Sequence, residues 1–329
     1  MGGEDAILEV KDLTLSFRSG RGRVKVLNHI HFRIRRGEIV GLVGESGSGK
    51  SVTALAIAKL LPPEKTVIES GEIRFEGRDV VALPERQMAE LRGKRIGFVF
   101  QEPMTALNPT MTVGDQLYHV IRRHHRVTKG EARERVLRAL EEVRIRRPDL
   151  VSRQYPFELS GGMRQRVVIA LAMSAEPALL IADEPTTALD VTVQADILRL
   201  IQQLAESHGT AVLLITHDLG VVAQTCSRMV VMYAGEVVEA GEVRRVLSRP
   251  RHPYTQALLR AVPDVAGRGR ALVAIEGELP DLHHRPPGCI FAPRCANRVD
   301  RCAEAPVLRD CAMDHQAACW VAEKGEVRV

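Results

Sequence analysis

Residues 44–51 read Gly44-Glu45-Ser46-Gly47-Ser48-Gly49-Lys50-Ser51, directly after the apolar run Ile39-Val40-Gly41-Leu42-Val43. The spacing G-x-x-x-x-G-K-S, set between a buried-strand run and a helix-like segment over 50–61 that Pro62-Pro63 ends, is that of a phosphate-cradling loop. Glycines let backbone N–H groups converge on an anion, and the helix N-terminus adds positive partial charge. Lys50 is suited to neutralise β/γ phosphate oxygens, and the Ser51 hydroxyl to coordinate Mg²⁺. A Gly/Ser turn with an incidental lysine would need neither strand nor helix in register.

Outward from the loop, residues 7–17 alternate apolar and polar, and a Gly/Arg-rich turn at 19–23 leads to another strand-like run, which predicts an antiparallel edge. Residues 84–175 read as mostly helical, with apolar residues at helical spacing over 129–143. Two buried-strand runs, 178–182 and 211–216, flank a helical segment over 191–205, and this alternation predicts a parallel sheet with helices on its faces. Residues 229–239 read as a hairpin turning at Ala234-Gly235, and beyond Pro250 the composition shifts to Pro, Arg and Cys, with a linker at 266–270. The expected fold is α/β: a P-loop NTPase core with a parallel sheet, an antiparallel β edge subdomain, a helical subdomain over about 85–175, and a small Cys-rich C-terminal module. The expected division is an ATPase domain at 1–250 and an extension at 251–329.

Composition excludes more than it identifies. With 45% hydrophobic and 26% charged residues the chain has ordinary globular usage, which rules out disorder and fibres. No run approaches the roughly 18 apolar residues of a spanning helix. The acidic opening Met1-Gly2-Gly3-Glu4-Asp5 is no export signal, so a cytoplasmic chain is expected. The net charge of +5 is spread in short clusters and aromatics are only 4%, which speaks against direct nucleic-acid binding.

The run at 178–182 ends in two carboxylates, Asp183 and Glu184. Adjacent like charges at a buried strand end need a cation or partner to offset their repulsion. Beside a phosphate loop, Asp183 suits the Mg²⁺ shell and Glu184 is left to polarise an attacking water.

Leu159-Ser160-Gly161-Gly162-Met163-Arg164-Gln165-Arg166 resembles the signature sequence of ABC ATPases. Its Ser and glycines, capping a helix that begins near Met163, offer a hydroxyl, bare N–H groups and a dipole to a γ-phosphate, which in that family belongs to ATP on the other subunit. The resemblance implies further roles in order along the chain. Phe17 looks like the aromatic that stacks on adenine, with a core Phe as the alternative. Gln101, in Phe98-Val99-Phe100-Gln101, looks like the glutamine that contacts Mg²⁺ and the attacking water, Asp190 like the aspartate that reaches across the dimer, and His217 like the histidine that orients the water.

The stretches at 100–109 and 183–192, with the tail His252-Pro253-Tyr254-Thr255, are similar to dipeptide and oligopeptide importers, and the signature wording to the first of their two ATPase subunits. This implies an ATP-hydrolysing subunit at the cytoplasmic face of a membrane. Its implied partners are a second, related ATPase subunit, two integral-membrane permeases and an extracytoplasmic substrate-binding protein. A nickel or other small-solute importer is an alternative. A soluble ABC ATPase acting on nucleic acid or ribosomes would carry a long coiled-coil insertion between Ser51 and Ser160 or a second ATPase unit, and the sequence has neither.

Five of the six cysteines, Cys289, Cys295, Cys302, Cys311 and Cys319, lie in the tail, separated by five, six, eight and seven residues. That is neither a zinc-ribbon pair nor an even disulfide ladder, and thiolates suit zinc and iron–sulfur clusters alike. The tail resembles the C-terminal module of peptide importers, which in some members holds a [4Fe–4S] cluster. On that resemblance the ligands are Cys289, Cys295, Cys302 and Cys319; Cys311 falls outside the pattern and His315 is a further candidate. Reduced thiols packed in a small subdomain are the bland alternative, and Cys226 reads as such a residue.

Overall fold

The computed structural model describes residues 5–20, 22–187, 189–261 and 275–322. The expected linker at 266–270 lies outside them. The chain divides into two compact units, one built from 1–7, 34–39 and 82–215, the other from 8–33, 40–81 and 216–329.

The second unit contains a four-stranded antiparallel sheet and a mixed sheet. The first has the order β2-β1-β4-β5, from β1 (Ala6–Ser19), β2 (Gly22–Arg35), β4 (Thr66–Phe75) and β5 (Arg78–Asp79). Leu8 pairs with Phe75 and Phe17 with Thr66, so the expected antiparallel edge forms, with β4 as a strand not anticipated. In the second sheet β3 (Ile39–Val43) runs parallel to β9 (Arg228–Tyr233), and β10 (Glu236–Glu242) returns antiparallel. The hairpin turns at Ala234 and Gly235, with φ of 45° and 81°, the left-handed pair a tight turn of this hand requires. The C-terminal extension adds strands to it: β12 (His315–Ala317) pairs with β10, and β11 (Arg309–Ala312) with β12.

In the first unit β6 (Ile96–Val99), β7 (Leu179–Asp183) and β8 (Ala211–Thr216) form a parallel sheet in the order β8-β7-β6. All five residues of β7 are buried, as a strand covered on both faces must be. β6 interrupts the stretch expected to be mostly helical. Its four residues are too few to show a period, and Gly97 lets the helix Gly161–Met173 approach so closely that a Cβ there would stand 2.6 Å from the Ala172 carbonyl oxygen. The remaining helices follow the pattern: Lys129–Glu142 opens on a capping box between Thr128 and Glu131, and Val191–His208 is capped by Asp190. The helix after the phosphate loop is shorter than expected, ending at Ile57, with Lys59 turning out of it at φ 50°.

Candidate functional site

In the second unit β3 delivers the chain into Gly44 at φ 152°, where a Cβ would stand 2.1 Å from the Met232 carbonyl oxygen and 2.8 Å from Ser48 Oγ. No residue with a side chain fits there. Gly47 (φ 79°) and Gly49 (φ 99°) complete the turn, and Gly49 is the left-handed N-cap of the helix Lys50–Ile57. Lys50, 6% exposed, donates from Nζ to the carbonyls of Gly44 (2.8 Å) and Glu45 (2.9 Å). Its ammonium is thus held against the loop's own weak acceptors, which a polyanion outcompetes. Ser48 is fully buried and its Oγ has no hydrogen-bond partner among the described residues, an arrangement that costs about 1–3 kcal/mol unless a ligand supplies one. Ser46, Gly47 and Ser51 are exposed at the mouth of the loop. The glycine cradle, the orphaned hydroxyl and the lysine fit a phosphate chain.

Glu45 departs from the expectation that every loop residue serves the phosphates. Its N–H donates to Tyr254 Oη (2.9 Å), and its carboxylate pairs with Arg294 (3.1 Å). In the same unit Phe17 is half-buried near the end of β1, and His217 is exposed just beyond β8. Next to it Asp218 caps the helix Leu219–Thr225, accepting from the N–H groups of Gly220 (2.7 Å) and Val221 (3.2 Å).

In the first unit β7 ends on Asp183, 7% exposed, and Glu184 turns away at φ 45°. Gln101 Nε2 and Thr187 Oγ1 both donate to Glu184 Oε2, at 3.2 Å and 2.8 Å. Two neutral donors thus orient one oxygen of the carboxylate. Ser160 caps the helix Gly161–Met173 by accepting from Met163 N–H (3.4 Å), with Leu159 buried behind it and Ser160 and Gly161 exposed. A Cβ on Gly162 would stand 2.9 Å from Val193 Cγ1, so this glycine also serves close packing. Asp190 accepts from Val193 N–H (2.9 Å) and thereby has a structural role of its own. Ala188, beside it, lies outside the described residues.

The cysteine module differs from expectation. Among the described residues no group of three or more His, Cys, Asp or Glu side chains stands in a metal-holding arrangement, so neither the ligand set Cys289, Cys295, Cys302 and Cys319 nor His315 forms a ligand shell. Cys289 and Cys302 instead pack with Ile290, Phe291, Tyr233 and Tyr254 in one apolar cluster. Burial pushes the Cys289 thiol up to about 11 and raises Cys295 and Cys319 as well, and protonated thiols pack as small apolar groups. His315 is committed elsewhere, with Nε2 2.7 Å from Glu239 Oε1, and Cys311 Sγ donates to the His315 carbonyl (3.2 Å). Cys226 is half-buried against the same apolar cluster, its thiol pushed up to about 11 by desolvation. Sequence reasoning assigned no role to Arg294, Tyr233 or Glu239, although they fall in the cysteine tail and in the hairpin at 229–239.

The loop, the carboxylate pair with its glutamine, and the serine-capped glycine pair define an ATPase of the ABC class. A family model described as "ABC transporter" matches residues 27–187, and one described as "Oligopeptide/dipeptide transporter, C-terminal region" matches 238–302. The chain is 49% identical to the probable D,D-dipeptide transport ATP-binding protein DdpD of Escherichia coli, covering 98% of this chain and 99% of that one. It is likewise 49% identical to the oligopeptide transport ATP-binding protein OppD of Bacillus subtilis, covering 92% and 86%. A solved dimer of the ATP-binding cassette MJ0796 in a post-hydrolysis state, bound to ADP and Pi, is similar with a TM-score of 0.65 at 29% identity, covering 72% of this chain and 99% of that one. The chain belongs to the ABC transporter ATP-binding family, in the branch that carries the oligopeptide/dipeptide transporter C-terminal region, and it is an ABC-type ATPase. Among the described residues no helix is long and apolar enough to cross a membrane.

Proposed function

We propose that this chain couples ATP binding and hydrolysis to the uptake of dipeptides or oligopeptides through partner membrane permeases, working at the cytoplasmic face of the membrane as the first of two related ATPase subunits. The hydrolytic half of this reading is carried by Glu184, whose Oε2 is oriented by donors from Gln101 and Thr187. On the family resemblance, Lys50 and the loop N–H groups are assigned to the phosphates, Ser51, Asp183 and Gln101 would be ligands of Mg²⁺, Glu184 would polarise the attacking water and His217 would orient it. Phe17 stacks on adenine. Ser160, Gly161 and Gly162, at the surface, face the γ-phosphate of ATP on the second subunit, with Asp190 reaching across. The peptide half rests on the family match at 238–302, which leaves the nickel and nucleic-acid alternatives without support. An extracytoplasmic binding protein delivers the peptide, so no residue of this chain touches it.

Glu184→Gln keeps the acceptor for Thr187 and loses the charge. Turnover falls by at least about 100-fold and an ATP-bound dimer accumulates, read by phosphate release and size-exclusion chromatography. Undiminished turnover removes Glu184 from the role of base. Peptide uptake is tested in vesicles holding the partner permeases and binding protein, where ATP-independent uptake refutes the coupling.

For the tail, a soft-metal reading rests on the family match at 238–302, which takes in Cys289, Cys295 and Cys302. Brought together and deprotonated on metal binding, Cys289, Cys295, Cys302 and Cys319 would supply the ligands of a [4Fe–4S] cluster, or of zinc. Visible charge-transfer absorption in anaerobically purified protein, lost in Cys295→Ser, supports the cluster; colourless protein containing zinc supports zinc, and metal-free protein refutes both.

A further inference from the structure

The phosphate loop carries a residue whose charge is wrong for its task. Glu45 follows the first glycine of a loop that has to take up a polyphosphate, and an uncompensated carboxylate there repels the ligand. It is compensated from the C-terminal extension. Arg294, with only 6% of its side chain exposed, places NH1 3.1 Å and 3.4 Å from the two Glu45 carboxylate oxygens and 3.4 Å from Tyr233 Oη. Its other donors are spent on the extension's own backbone, Nε on the Glu276 carbonyl (2.9 Å) and NH2 on that of Ile275 (3.1 Å). The guanidinium fork is thus held rigidly by one segment while it neutralises another.

A second tie runs beside it. Tyr254, buried and raised in pKa by that burial, keeps its hydroxyl as a neutral acceptor for Glu45 N–H (2.9 Å). Tyr254 is in turn placed by the fully buried Glu239, which accepts from Arg251 N–H (2.6 Å) and His252 N–H (2.9 Å). The same extension reaches the loop tip, where a Cβ on Gly47 would stand 3.4 Å from Leu279 Cδ1. A glycine-rich loop is floppy by composition, and here both its charge and its backbone at Glu45 are set from outside the loop.

We infer that Arg294 is a positioning residue for nucleotide binding: by pairing with Glu45 it removes the one negative charge from the phosphate loop, so that the C-terminal extension sets ATP affinity. This rests on the reading of residues 44–51 as the ATP site. Arg294 touches no reacting atom, and its effect falls on binding rather than on the chemical step.

The test is steady-state ATPase activity of the full chain, with MgATP and adenosine binding measured by calorimetry. Arg294→Ala is expected to raise KM and Kd for ATP about tenfold, the order for one unit charge beside a bound polyanion, with kcat within about twofold and adenosine binding unchanged. Adding Glu45→Gln to Arg294→Ala removes the repelling charge and returns KM to within about threefold of the parent. Arg294→Lys keeps the charge but loses the ties to Glu276 and Ile275, and its KM is expected between those of the parent and Arg294→Ala. If Arg294→Ala leaves KM unchanged, if the double variant binds as weakly as the single one, or if the lysine variant is as weak as the alanine one, Arg294 is only a structural tie and the inference fails. Should Arg294→Ala not fold, the lysine variant and Glu45→Gln alone, whose KM is expected at or below the parent's, decide it. A parent chain that binds no ATP refutes the site reading itself, a separate outcome.

Discussion

Acidification should loosen the C-terminal extension through one residue, His252. It is 1% exposed, its Nδ1 accepts from Tyr254 N–H (3.0 Å), and that acceptor exists only in the neutral ring. Burial pushes its pKa down from the ordinary 6.5 to about 4, against a smaller upward pull from Glu239. With the folded pKa below the unfolded one, the unfolded chain binds more protons between these values, so stability is full above about 6.5 and is lost as pH falls towards 4. Integrating the two titration curves from pH 7.5 to pH 5 gives a loss of about 2 kcal/mol.

Trp320, the only tryptophan, reports on this region, because it packs against the apolar cluster that holds Tyr254 and Phe291, the ring beside His252. Urea titrations followed by its emission should show the midpoint falling by about 1 M between those pH values. His252→Asn offers an oxygen to Tyr254 N–H and cannot titrate, so its midpoint should move less by that amount. Every other titrating group contributes equally to both chains. Parallel pH dependences in parent and variant would refute the assignment to His252.

Three further outcomes test the packing that carries the site. His315→Ala takes one partner from the Glu239 carboxylate, which is 0% exposed, and should cost about 3 kcal/mol in the same Trp320 titration. Gly162→Ala sets a helix-propensity gain of about 1 kcal/mol against overpacking of about 1–3 kcal/mol, since the new methyl would stand 2.9 Å from Val193 Cγ1. A net loss near 1 kcal/mol in thermal unfolding, relieved by Val193→Ala, is expected. Thr128→Ala removes the capping box at the exposed start of the helix Lys129–Glu142 and should cost about 1 kcal/mol while leaving ATPase activity unchanged.

Much of the fold was legible because its signals are local. A glycine at φ 152°, a serine cap before two glycines and a buried run ending in Asp183 each state their conformation within a few residues. β6 was hidden, because four residues carry no readable period, and β4 was passed over beside the loop. The cysteine tail is the converse case. Cysteine spacing names candidates, but whether thiols ligate or pack depends on the distances among them, and Cys289 and Cys302 enter an apolar cluster.

The amino-acid sequence alone determined the class of chemistry, that of an ABC-type ATPase, since the phosphate loop, the carboxylate pair and the signature serine are each contiguous and are read from residue type and order. Only the tertiary structure decided what the extension does to that loop. The pairing of Arg294 with Glu45 and of Tyr254 with the Glu45 N–H joins residues more than two hundred positions apart, and no periodicity or motif records a contact that exists only once β10, β12 and the segment after Pro250 have packed.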